Sequence, residues 1–220
     1  MKWYLDFGHG GKDPGAVGSN KTKESEIVLK TGLLIKNNLE QAFEKVITTR
    51  EDDKYYSLDY RSIKANNEIC DYFVSLHLNS STNKAARGCE VWVYDKNSKL
   101  YNLSKDICTN LSNKLNTPNR GVKISKEFSV LRKTKMPAIL IEIDFISNTT
   151  VENSLTSHKY IKDIADSISS TLLSFVNKSI TNDGIFYRVC IGAFNDKNNA
   201  VKLKNEAISK GFKNTYIITN

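Results

Sequence analysis

Apolar residues fall in two rhythms along the chain. Short runs at 3–7, 46–49, 72–78, 90–94 and 138–143 read as strands. The last of these, Ala-Ile-Leu-Ile-Glu-Ile, is almost continuously apolar, as a strand covered on both faces should be. Between the runs the period lengthens to that of a helix. One such stretch carries Ile27, Val28, Thr31, Leu34 and Ile35, and a second Leu103, Ile107, Cys108, Leu111 and Leu115. A third carries Ile161, Ile164, Ala165, Ile168, Leu172, Phe175 and Val176. The alternation predicts an α/β fold: a twisted, mostly parallel sheet with helices on both faces.

The rhythm stops at 177–184, Asn-Lys-Ser-Ile-Thr-Asn-Asp-Gly, which offers turn residues and little to bury. It divides the chain into a domain over 1–176, a linker over 177–184 and a small module over 185–220. The module reads as β-α-β, with strands at 186–194 and 215–219 around a helix at 197–209 that Gly211 stops. About 36 residues bury too little surface to fold alone, so the module must dock on something.

Composition narrows the class. With 40% hydrophobic and 25% charged residues, a wholly disordered chain is excluded. No apolar run approaches the ~20 residues of a membrane span. Lys and Arg outnumber Asp and Glu by 32 to 24, a net charge of +8 that favours an anionic partner such as nucleic acid, anionic lipid or an acidic wall polymer. General solubility explains the same charge equally well. The opening Met-Lys-Trp-Tyr-Leu-Asp leads straight into a strand without the apolar stretch of a signal peptide. The expectation is a protein made in the cytoplasm that acts elsewhere only after release. Cys70, Cys89, Cys108 and Cys190 are widely spaced without a C-x-x-C pair, and read as buried small hydrophobes.

Chemistry concentrates at strand ends. Of three histidines, His9 follows the first strand within a Gly-rich loop, and His77 closes the third. The carboxyl ends of parallel strands line the site crevice of such sheets, so both imidazoles can meet there. His158 reads as a surface residue. The acids available to join the pair are Glu24 and Glu26, at the start of the first helix, and Glu142, inside an apolar strand. A buried carboxylate needs a proton, a metal or a cation beside it. Two histidines and a carboxylate with an open fourth position form a zinc-hydrolase ligand set, and one further carboxylate would serve as general base. A phosphate loop at 8–11 is disfavoured, because the Gly-Lys-Ser/Thr ending is missing.

Four ordered motifs then carry a resemblance. Leu-Asp-Phe-Gly-His-Gly-Gly-Lys-Asp-Pro-Gly-Ala at 5–16, Lys-Glu-Ser-Glu-Ile-Val-Leu at 23–29, Val-Ser-Leu-His-Leu-Asn at 74–79 and Met-Pro-Ala-Ile-Leu-Ile-Glu-Ile-Asp-Phe-Ile-Ser-Asn at 136–148 resemble the zinc-dependent N-acetylmuramoyl-L-alanine amidases. Asn119-Arg-Gly-Val-Lys and Val130-Leu-Arg match in order between them. The resemblance implies one zinc per chain held by His9, Glu24 and His77, with Glu142 as the catalytic carboxylate; the substrate contacts are left open, with Asn79 and Arg120 as candidates. It implies peptidoglycan as substrate, cut between N-acetylmuramic acid and the L-alanine of the stem peptide, with no nucleic-acid partner and no membrane insertion. The alternatives are a zinc peptidase cutting within the stem peptide and a non-catalytic wall-binding protein.

The tail, Phe186-Tyr-Arg-Val-Cys-Ile-Gly-Ala-Phe with Asn199-Ala-Val-Lys-Leu, resembles the start of a sporulation-related repeat domain, a wall-binding module of two β-α-β halves. This chain carries one half, so the expectation is a homodimer joined through it or a half-module packed on the catalytic domain. A phage endolysin and a lysin that frees a spore from its mother cell fit this arrangement equally.

Overall fold

The computed structural model describes residues 1–182, 191–212, 215 and 217. The chain forms two compact units, Met1–Ser179 and Ile180–Asn220. The first is built on six strands: β1 (Lys2–Phe7), β2 (Lys45–Thr48), β3 (Tyr72–Asn79), β4 (Cys89–Val93), β5 (Asn119–Ile124) and β6 (Ala138–Phe145). They lie in the order β2-β1-β3-β6-β4-β5, all neighbours parallel except β4 against β6.

Helices cover both faces, as the apolar rhythm predicts. On one face α1 (Glu24–Gln41), α3 (Tyr101–Leu115) and α6 (His158–Asn182) pack against the sheet. Ile27, Val28, Ile35, Ile107, Leu111, Ile164 and Ile168 meet Leu5, Phe7, Val74, Leu76, Ile139, Ile141 and Ile143 in the larger core. The other face is covered by α2 (Leu58–Asn67) and α4 (Ser129–Lys133), through a smaller cluster that includes Tyr4, Ala65, Phe73, Val130, Leu131 and Leu140. That cover is short. Because side chains alternate along a strand, the next positions on this face are Ser75, His77, Glu142 and Glu90, polar residues left at the carboxyl ends of β3 and β6.

Four elements depart from the sequence expectation. The edge strand β5, the helix α2 and the short helices α4 and α5 (Thr149–Ser154) carry no clear apolar period, and each is present. The stretch read as a linker is helical through Asn182, since neither Gly nor Pro interrupts it before Gly184. In the second unit the helix at 197–209 is present as α7 (Lys197–Ser209), where the Asp196 carboxylate accepts the backbone N–H groups of Asn198 and Asn199. Of the flanking strands, 186–190, 216, 218 and 219 lie outside the described residues, and the chain at 191–194 is not in a strand. Cys70, Cys89 and Cys108 are buried free thiols, and Cys190 lies outside the described residues. Among the described residues no helix is long and apolar enough to cross a membrane.

One buried ion pair ties α2 to the sheet. Asp6 on β1 is 1% exposed and its Oδ1 lies 2.7 Å from Arg61 Nη1 of α2. Thr49 and Ser75 hydroxyls donate to the same carboxylate at 2.6 and 2.7 Å. Burial opposes ionisation of Asp6, and the Arg61 guanidinium with these hydrogen bonds outweighs it and holds the carboxyl below its ordinary range. Breaking such a pair leaves an uncompensated buried charge. Arg61→Leu should therefore destabilise the fold by about 3–5 kcal/mol, read from the urea midpoint, and adding Asp6→Asn should recover part of the loss.

Candidate metal centre

The site begins at the end of β1, where the chain must leave the sheet and place an imidazole over it. His9 adopts a left-handed backbone conformation, with φ 59°, uncommon for a non-glycine residue and worth a physical cause. Two buried arginines supply it. Arg50 donates to the carbonyls of Phe7, Gly8 and Ser25 at 3.1, 2.9 and 2.7 Å. Arg61 donates to those of Phe7 and His9 at 2.8 and 2.9 Å. The loop is thus fixed through its backbone, and Asp13 Oδ2 lies 2.9 Å from His9 Nδ1. That contact leaves Nε2 facing the site.

Glu24 opens α1 and is 3% exposed. Its Oε1 lies 3.2 Å from His9 Nε2 and 2.9 Å from His77 Nδ1, and accepts Leu78 N–H at 3.0 Å. Oε2 accepts Ala16 N–H at 2.9 Å. Gly15 makes the close approach feasible: at φ 67°, a Cβ there would fall 2.6 Å from both Glu24 Oε2 and the His9 ring. The loop before α1 is pinned from below by Glu152, a fully buried carboxylate that accepts the N–H groups of Asn20 and Thr22.

His9, Glu24 and His77 each offer one donor atom, all within 4.8 Å of one another. Among the described residues they form the group that can hold a metal ion. Burial favours the neutral form of Glu24, yet hydrogen bonds with His77 and His9 hold its carboxyl well below the usual range. Burial likewise pushes His9 down, and Glu24 and Asp13 together push it up past the ordinary imidazole value. Two nitrogens and an ionised oxygen converging on one point are a donor set that suits a divalent metal such as zinc. Glu26, the alternative acid, is exposed and pairs with Lys23 at 3.2 Å. His158 is exposed at the start of α6.

Glu142 completes the arrangement. It faces away from the core residues Ile141 and Ile143 and lies in register with His77 on β3 and with Glu90 on β4. Its Oε2 is buried without a hydrogen-bond partner. Burial first, then the charges of Glu24 and Glu90, push its carboxyl well above the ordinary range. Asn79 and Arg120 both reach Glu90: Asn79 Nδ2 donates to Oε1 at 2.9 Å and Arg120 Nε to Oε2 at 2.8 Å. Asn79 is otherwise engaged with Ser80 N–H at 2.8 Å.

Sequence reasoning missed Asp13, Arg50, Arg61, Glu90 and Glu152. A signal for Arg61 was present, since Asp6 within an apolar strand requires a cation. Asp13 lies four residues after His9 in the same loop, and Arg50, Glu90 and Glu152 are assigned by tertiary contact alone.

An α/β sheet with a His-Glu-His cluster that could hold a metal, and an unpartnered carboxylate oxygen of Glu142 at the same strand ends, is the arrangement of a metallohydrolase. Residues 4–174 match the family described as N-acetylmuramoyl-L-alanine amidase. The chain is 34% identical over 215 residues to the sporulation-specific N-acetylmuramoyl-L-alanine amidase of Bacillus subtilis (strain 168), covering 96% of this chain and 82% of that protein. It is 34% identical to the endolysin of Bacillus phage SPP1, over 79% of this chain and 65% of the endolysin. The crystal structure of N-acetylmuramoyl-L-alanine amidase from Clostridium difficile 630 superposes with a TM-score of 0.75 at 32% identity, covering 80% of this chain and 96% of that one. The chain belongs to the N-acetylmuramoyl-L-alanine amidase family, enzymes whose substrate is peptidoglycan.

Removing the carboxylate behind a metal-binding histidine costs about 10- to 100-fold in metal affinity. Asp13→Asn should show a loss of that size in competition with a chelator, Glu24→Gln a larger one, and Glu26→Gln none.

Proposed function

We propose that the chain hydrolyses the amide between the lactyl group of N-acetylmuramic acid and the L-alanine of the stem peptide, with one zinc ion held by His9, Glu24 and His77. Zinc in such a set lowers the pKa of a coordinated water toward about 7 and polarises a carbonyl. Glu142 acts as general base: its Oε2 takes a proton from the attacking water and delivers it to the departing amine nitrogen. A carboxyl raised above its ordinary range by burial is suited to both transfers. The observation that carries the reading is the buried, unpartnered Oε2 of Glu142, in register with His77. Asp13 orients His9, and the grip of Arg50 and Arg61 on the loop keeps His9 in place without relying on the substrate.

The second unit, on this proposal, anchors the enzyme to the wall. Over 185–220, six basic residues against two acidic ones give +4, an attraction that salt should screen over about 10 Å at 0.1 M. Ile191, Phe194, Val201, Ile208 and Phe212 are exposed apolar residues that a second copy would cover, giving a homodimer. The enzyme would be made in the cytoplasm and reach the wall on release, in phage lysis or in mother-cell lysis.

Digestion of purified peptidoglycan with mass analysis tests the reaction. The expected products are intact stem peptides with free L-alanine amino ends and uncut glycan; cleavage inside the stem peptide indicates a peptidase, and no product a wall-binding protein. Glu142→Gln should retain its zinc and lose activity by about 100-fold or more; loss of zinc together with activity would make Glu142 a ligand. In sedimentation, the full chain should run as a dimer and a chain ending at Asn182 as a monomer with weaker wall binding. Two monomers of equal wall affinity would remove both roles from the tail.

A further inference from the structure

The row of charged residues does not end at Glu142. His77, Glu142 and Glu90 sit side by side on β3, β6 and β4, and Arg120 on β5 closes the row by reaching Glu90. Glu90 is 4% exposed and already receives two neutral donors, Asn79 Nδ2 at 2.9 Å and Trp92 Nε1 at 3.2 Å. Arg120 is different: its side chain is 40% exposed. Only its Nε is used by Glu90, and among the described residues Nη1 and Nη2 have no acceptor.

An exposed arginine is ordinarily mobile and its ion pair contributes little. This one is held at three points. Its aliphatic stem crosses Gly88, where at φ 118° a Cβ would come within 2.8 Å of Arg120 Cγ and 2.9 Å of Cδ. Its guanidinium lies 4.9 Å from the centroid of the Phe145 ring, and Nε is fixed on Glu90. What remains is an oriented fork with its outer edge open, the geometry that takes a carboxylate through two parallel hydrogen bonds.

We infer that Arg120 receives a free carboxylate on the stem peptide, one residue beyond the L-alanine, with Glu90 and Gly88 as its positioning residues; this rests on the amidase reading above. Strands lie about 4.8 Å apart, so the Glu90 column, toward which Arg120 reaches back, is about 10 Å from the His77 column. An extended peptide at about 3.3–3.6 Å per residue covers that distance within about two to three residues. Asn79 donates to Glu90 and accepts Ser80 N–H, and so helps to fix Glu90.

The test compares kcat/KM on two muramyl peptides that differ only at the residue after L-alanine, one with a free α-carboxylate and one with the carboxamide. The wild type should prefer the carboxylate by about 10- to 100-fold. Arg120→Met should bring the ratio to about one. Arg120→Lys, which keeps a charge beside Glu90 and safeguards the fold, should give an intermediate ratio. Equal use of both peptides by the wild type, or a preserved ratio in the variants with both rates lowered together, overturns the inference alone. Cleavage of neither peptide by the wild type overturns the amidase reading and this inference with it.

Discussion

The Glu24 carboxylate is the point on which the first unit converges. One oxygen faces both imidazoles and the Leu78 N–H, and the other takes the Ala16 N–H. Through those contacts it joins the loop after β1, the start of α1 and the end of β3, three segments far apart in sequence. An ionised carboxylate this deeply buried is costly unless it is matched by cations or hydrogen bonds. The two histidines supply part of that match, and a divalent cation among the three donors would supply the rest. The family to which the chain belongs gives this arrangement its chemical setting.

The supporting framework is polar where a core is usually apolar. Arg50 and Arg61 grip carbonyls of the Phe7–His9 segment from below, and Asp6 balances Arg61. This explains a thin second face. The smaller apolar cluster ends where guanidinium groups and carboxylates begin, and the sheet there opens toward the site. A hydrophobic cover at that place would bury His77 and Glu142 and leave no room for substrate.

Much of this was legible in the chain, for a physical reason. Strands buried on both faces must be continuously apolar, so β3 and β6 announce themselves, and Glu142 stands out because its neighbours are isoleucines. The helices of the larger core, α1, α3 and α6, show their period because one side of each is buried against aliphatic residues. By contrast, α2 buries Arg61, Ser62 and Ala65 while exposing Leu58 and Ile63, which inverts the usual pattern and hides it. Edge strand β5 carries Arg120, Gly121 and Lys123 and is covered too little to need an apolar rhythm. The positions of Glu24 and Glu26 could not be told apart from period alone. The fold turns Glu24 inward beside both imidazoles and leaves Glu26 with Lys23.

The central claim is that His9, Glu24 and His77 hold one zinc ion beside Glu142. Anomalous diffraction recorded on both sides of the zinc absorption edge, from crystals of protein purified without added metal, tests it most directly. The account predicts a single peak in this unit, within bonding distance of His9 Nε2, Glu24 Oε1 and His77 Nδ1. A peak coordinated by other residues, or none there after saturation with zinc, would contradict it.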